Sequence, residues 1–97
     1  MIDVRTTKEF DEWVHGLRDG AAQDKIMIRA RRLSMGNPGK YRALPGGIFE
    51  LKEDWGPGYR VYCTWRGSAL VLLLCGGDKR TQRQDIARAK MLAARLD

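Results

Sequence analysis

Apolar residues recur at helical spacing twice in the first third of the chain, then alternate, and return to helical spacing near the end. Phe10, Trp13, Val14 and Leu17 mark one helix face, and Ile26, Ala30 and Leu33 mark a second over residues 21–35. Thr6-Thr7-Lys8-Glu9 matches a capping box, in which a threonine hydroxyl and a glutamate satisfy free amides at a helix start, and Asp19-Gly20 reads as the end of that helix. Gly36-Asn37-Pro38-Gly39 stops the second helix. A short edge strand over residues 2–5 precedes both.

From residue 40 the period becomes two. Residues 40–44 predict a short strand and Pro45-Gly46-Gly47 a turn. Over residues 48–55, Phe49, Leu51 and Trp55 point one way and Glu50, Lys52 and Asp54 the other. Gly56-Pro57-Gly58 leads into a strand over 59–66, with Val61, Cys63 and Trp65 on one face and Arg60, Tyr62, Thr64 and Arg66 on the opposite face. After a hairpin at Gly67-Ser68, residues 69–75 are apolar on both faces, the pattern of a central strand. Thr81-Gln82-Arg83-Gln84 reads as a second capping box, opening a helix to about residue 96 with Ile86, Ala89, Ala93 and Leu96 inward. The order β-α-α-β-β-β-β-α predicts an α+β domain. Its two N-terminal helices cover one face of a mainly antiparallel sheet, and a C-terminal helix follows.

Ninety-seven residues make one domain with a single modest core. The net charge of +6 favours an anionic partner, and its distribution sharpens the point. Residues 25–42 hold Lys25, Arg29, Arg31, Arg32, Lys40 and Arg42 with no acid. The run Arg29, Arg31, Arg32 reads as a solvated helix face, with RNA contact as the alternative. Cys63 and Cys75 lie in apolar segments and read as buried, reduced thiols; no residues have metal-ligand spacing. His15, the single histidine, reads as a surface or half-buried structural residue, and Trp13, Trp55 and Trp65 as core. The chain opens on no signal peptide and carries no apolar run of membrane-spanning length, which predicts a cytoplasmic protein.

Two places can carry chemistry. Glu50, Lys52, Arg60, Tyr62 and Arg66 gather on one sheet face if their strands pair in register; the plain alternative is a solvated face with cross-strand ion pairs. Gly76-Gly77-Asp78-Lys79-Arg80-Thr81 reads as a glycine-rich loop presenting amides, a helix N-terminus and two cations to an anion. Together they predict that Arg60 and Lys79 converge on one solvent-open hollow able to grip a nucleotide.

The ordered set Phe10-(x2)-Trp13, Gly36-Asn37-(x)-Gly39, Glu50-Leu51, Gly56-Pro57-Gly58-Tyr59-Arg60-Val61-Tyr62 and Leu73-Leu74-Cys75-Gly76-Gly77-Asp78-Lys79-(x2)-Gln82-(x2)-Asp85-Ile86-(x2)-Ala89 resembles the phage-related, HigB-type addiction module killer proteins of the RelE/ParE toxin superfamily. The resemblance spans nearly the whole chain as one RelE-like domain over residues 1–97. It implies a toxin of a type II toxin-antitoxin system, acting as a ribosome-dependent endoribonuclease on mRNA without a metal or other cofactor. Its partners would be the ribosome, mRNA and a helix-turn-helix, HigA-like antitoxin, with operator DNA reached only through that antitoxin. The resemblance gives Arg60 the role of stabilising the scissile phosphate. It matches Glu50 to a catalytic glutamate of some relatives and Lys52 to the lysines of others. The C-terminal His or Tyr of several relatives has no counterpart; Lys79 is the nearest functional group, with Tyr62 as another candidate donor. Arg42, Arg66, Arg80 and Arg83 are the expected RNA contacts. A ParE-like gyrase inhibitor and a degenerate, non-toxic binding module are the alternatives on the same fold. An acidic or amphipathic antitoxin segment is expected over the positive face or on the two N-terminal helices.

Overall fold

The computed structural model describes residues 1–95. The elements are β1 (Asp3–Thr6), α1 (Lys8–His15), α2 (Gly20–Ser34), β2 (Tyr41–Leu44), β3 (Ile48–Glu53), β4 (Tyr59–Arg66), β5 (Leu70–Asp78), a one-turn 3-10 helix (Lys79–Thr81) and α3 (Gln82–Arg95). The strands form one sheet in the order β1-β5-β4-β3-β2. β1 runs parallel to β5 and the other pairs are antiparallel, so the domain is α+β with β5, β4 and β3 interior.

The helix starts differ from the expected capping boxes. Thr7, not Thr6, caps α1, accepting a hydrogen bond from the Phe10 amide at 3.0 Å. Glu9 instead reaches across the molecule to Arg95, 2.9 Å away. Asp19 begins α2 rather than ending α1: its Oδ1 accepts from the amides of Ala21 at 3.0 Å and Ala22 at 3.3 Å. At α3 the Thr81 hydroxyl bonds the Asp85 carboxylate at 2.5 Å, so the expected box with Gln84 gives way to a partner one residue later.

Both faces of the sheet are covered. Phe10 and Val14 of α1 and Ala22, Ile26 and Leu33 of α2 pack on Leu51, Val61, Cys63, Val71 and Leu73. On the other face Ala89 and Leu92 of α3 pack on Ile48, Tyr62, Leu74 and Cys75. Ile86 and Ala93 flank that second core; Leu96, expected to face inward, lies outside the described residues. The sheet face expected to be polar and open therefore lies beneath a helix. A bulge at Leu74 breaks strict alternation, since Tyr62 pairs with Cys75 while Cys63 pairs with Leu73.

Three expectations about individual residues change. Arg29 is buried on the inner stripe of α2, donating to the carbonyls of Pro38 (3.0 Å), Lys40 (2.8 Å) and Lys52. It binds α2 to strand ends instead of lining a solvated face. Trp55 and Trp65 are substantially exposed rather than core, Trp55 lying past the end of β3 and Trp65 next to the end of β4; Trp55 Nε1 donates to Asp19 at 3.0 Å. His15 lies exposed on α1, in keeping with the surface position expected of it.

Gly76 and Gly77 are not loop residues. They lie in the paired part of β5, opposite Val61 and Arg60, just before its last pair, Asp78 with Tyr59. A Cβ on Gly76 would lie 2.2 Å from the Trp13 ring, and one on Gly77 would lie 1.8 Å from Asp85 Oδ2. Their lack of side chains admits α1 on one face and the start of α3 on the other. Gly76→Ala is expected to lower unfolding free energy by about 2 kcal/mol or more, because the ring would have to leave its packing against Phe10 and Tyr59. Urea titration followed by circular dichroism measures this; a midpoint equal to wild type would refute the packing account.

Candidate functional site

The register places the candidates in two cross-strand rows on the α3 side. Lys52 lies opposite Arg60, which lies opposite Gly77. Two pairs further along, Arg42 lies opposite Glu50 and Glu50 opposite Tyr62.

The first row opens to solvent. Gly56 and Gly58, at φ of 58° and 83°, carry the turn before β4 through a conformation that favours glycine. That turn and the chain after β5 enclose a hollow of about 280 Å³, lined by Lys52, Asp54, Gly58, Arg60 and Lys79. A Cβ on Gly58 would lie 3.7 Å from both Arg60 Nη1 and Lys79 Cβ, so the two cationic side chains approach the same point. Asp54, the acid in the lining, is 2.5 Å from Lys40 Nζ. That hydrogen bond, with the charges of Lys40, Lys52 and Arg60, holds its carboxyl below the usual range. The hollow has three cations against one acid that is already engaged.

Arg60 departs from the expectation of a solvent-open guanidinium. It is 5% exposed and forms the floor of the hollow, with Nε 3.9 Å from Glu50 Oε2. Burial follows from the central place of β4, flanked by two strands, with the Gly58 backbone beside Nη1. Lys79 stands exposed at the rim and Lys52 is half-buried.

The second row is interior. Glu50 is 1% exposed. Its Oε1 is 3.0 Å from Arg42 Nη2, an ion pair too oblique to count as a hydrogen bond. Its Oε2 accepts from Gln82 Nε2 at 3.4 Å. Gln82 opens α3 and stands in the sequence only within the capping box and the resemblance motif, not as a site residue; a polar residue in the first turn of a helix over a strand bearing a buried acid is the signal that points to it. Tyr62 is fully buried, and its hydroxyl has no partner among the described residues. Neither Glu50 nor Tyr62 lines the hollow.

The expected RNA contacts divide. Arg80 and Arg83 border an open groove along α3 that shares Lys79 with the hollow, together with Gln82, Ile86 and Lys90. Arg80 also bonds Asp78, Nη2 to Oδ2 at 2.9 Å. Arg42 turns to Glu50. Arg66 donates to the Ala93 carbonyl, six residues along β4 from Arg60 and so about 20 Å away at strand rise. Elsewhere, Leu33, Tyr41, Phe49 and Trp65 line an apolar groove of about 510 Å³ between the end of α2 and edge strand β2. No three His, Cys, Asp or Glu side chains are grouped to hold a metal among the described residues. Among those residues no helix is long and apolar enough to cross a membrane.

The fold and site define a small α+β domain with a cationic hollow at one sheet end. No family model matches the chain. It is 48% identical over 95 residues to an uncharacterized protein of Haemophilus influenzae, covering 98% of this chain and 96% of that protein, and it belongs to that protein's family. Among solved structures, the crystal structure of a metal-bound toxin from Helicobacter pylori superposes with a TM-score of 0.57 at 19% identity, covering 82% of this chain and 97% of the toxin. The two share a fold.

Burial, with the charges of Glu50 and Asp85, pushes the Tyr62 phenol above its ordinary value of 10.0. Burial likewise pushes the Cys75 thiol from 9.0 up to about 12, and raises the Cys63 thiol. Each acid holds its proton more tightly in the folded chain, so this stability is complete below the ordinary values. It is lost as pH rises past them, because the unfolded chain deprotonates first. The melting temperature is therefore expected to hold steady from neutral pH and to fall above about pH 9. Tyr62→Phe, by removing a buried hydroxyl without a partner, is expected to stabilise the neutral-pH fold by about 1 kcal/mol and to soften the alkaline fall. Calorimetry across that range tests both; a destabilised Tyr62→Phe chain would mean the hydroxyl is bonded.

Proposed function

We propose that the chain is the toxin of a type II toxin-antitoxin pair, of the RelE/ParE superfamily and HigB-like, and that it cuts mRNA on the ribosome. The observation that carries this reading is the convergence of Arg60, Lys52 and Lys79 on one hollow beside a tight glycine turn. The shared fold with the Helicobacter pylori toxin and the ordered motifs add to it.

In this reading the ribose 2′-oxygen attacks the adjacent phosphorus, the O2′–P bond forms and the P–O5′ bond breaks. Arg60 meets the charge that builds on the phosphoryl oxygens, since its planar donors match two of them. Lys52 and Lys79 are the proton carriers. One, in its amine form, takes the 2′-hydroxyl proton, and the other returns a proton to O5′. The ribosome holds the message in attack geometry, supplying the positioning that so sparse a site lacks. Arg80 and Arg83 along the adjoining groove would meet flanking phosphates. The partner is a helix-turn-helix antitoxin, for which the apolar groove beside α2 offers a face.

Expression of the chain in a bacterial host is expected to arrest growth and leave translated messages cut. Lys52→Ala with Lys79→Ala is expected to relieve the arrest and slow cleavage by about 10²–10³-fold, as is Arg60→Ala in chain verified as folded. Arrest with intact messages would defeat the nuclease reading, and inhibited supercoiling by gyrase in vitro would replace it with the alternative target. A wild-type chain without toxicity would leave a binding module.

A further inference from the structure

We infer that Glu50 is a positioning residue: its buried carboxylate aims the Arg60 guanidinium into the hollow and takes no proton from the substrate. This rests on the reading that Arg60 meets a phosphate there.

Access is the first ground. Glu50 is 1% exposed and absent from the lining of the hollow, so a ribose hydroxyl bound among Lys52, Arg60 and Lys79 has no path to it. Its surroundings are the second. Arg42 Nη2 at 3.0 Å, Arg60 Nε at 3.9 Å and Gln82 Nε2 at 3.4 Å all converge on its two oxygens. A carboxylate faced by two guanidiniums and an amide is placed to orient them. The third ground lies with Arg60. Its hydrogen bond, Nη1 to the Tyr59 carbonyl, is long at 3.5 Å, and Nε has none. The charges of Glu50 beneath and Asp54 in the lining, with the space above Gly58, bear on its direction, and Glu50 is the one beside Nε. Glu50 attracts the Nε side, which turns Nη1 toward Gly58 and the hollow. The same negative charge offsets the repulsion among Arg60, Lys52 and Lys79.

Two readouts separate this inference from the reading beneath it. The first needs no cleavage: the Arg60 Nε–H resonance of the full chain by 15N NMR. It is expected to be protected from solvent exchange in wild type, and to broaden or exchange faster in Glu50→Gln. An unchanged signal in folded Glu50→Gln would overturn the inference. If that variant fails to fold, Glu50→Asp, which draws the carboxylate back from Arg60, is expected to give the same loss of protection; unchanged exchange there would count equally against it. The second is a double-mutant cycle in single-turnover cleavage of ribosome-bound message. Glu50→Gln is expected to slow cleavage by about 100-fold, the scale of a misplaced catalytic group. The double variant with Arg60→Ala should be no slower than Arg60→Ala alone. Losses that multiply would make Glu50 an independent participant and overturn the inference. A wild-type chain that leaves RNA uncut but gives the expected NMR response would sink the nuclease reading and leave the positioning role standing.

Discussion

A carboxylate removed from water is tolerated only where opposite charge and hydrogen-bond donors replace its hydration. Glu50 meets that condition with groups from three different elements: the charges of Arg42 on β2 and Arg60 on β4, and a hydrogen bond from Gln82 at the head of α3. Breaking a buried pair of this kind typically costs about 3–5 kcal/mol, less for a partner as exposed as Arg42. The interaction therefore ties the edge strand, the sheet interior and the C-terminal helix at one point. The hollow lies on the solvent side of that point, with Arg60 shared between them.

Arg29 does the corresponding work on the opposite face. Its guanidinium gathers the carbonyls of Pro38, Lys40 and Lys52 and lies 3.2 Å from the Glu53 carboxylate. These bonds fix the end of β3 from beneath while its Lys52 side chain borders the hollow from above. Two buried arginines, one from a helix and one from a strand, thus hold the same strand end from opposite sides.

The bare backbone of Gly76 and Gly77 completes the frame. With no side chain at Gly77, Asp85 and Thr81 close down on β5 and the chain folds directly into the 3-10 turn. Asp78 secures that turn, accepting from the Arg80 amide at 2.8 Å. Lys79 then emerges opposite Gly58 instead of continuing along the sheet. The glycines serve packing, and the position of the ammonium follows from it.

Much of this was legible in the chain. Helical and alternating periods located every element to within a few residues, because burial of one face enforces the period along each segment. The boundary at Asp19 was misread because an Asp-Gly pair serves equally as a stop and as a helix start, and only the amides that it bonds distinguish the two. The two apolar faces of β5 already signalled a sheet covered on both sides, and the apolar stripe of α3 required a surface to cover. What remained illegible was that α3 settles over the very row bearing Glu50 and Tyr62, which turned two expected surface groups into interior ones. The sequence by itself determined the elements, the unequal spread of charge and the residues able to do chemistry, since those depend on local period and side-chain type. Tertiary structure alone decided which of them share a solvent-facing hollow, because burial and convergence depend on how distant segments stack.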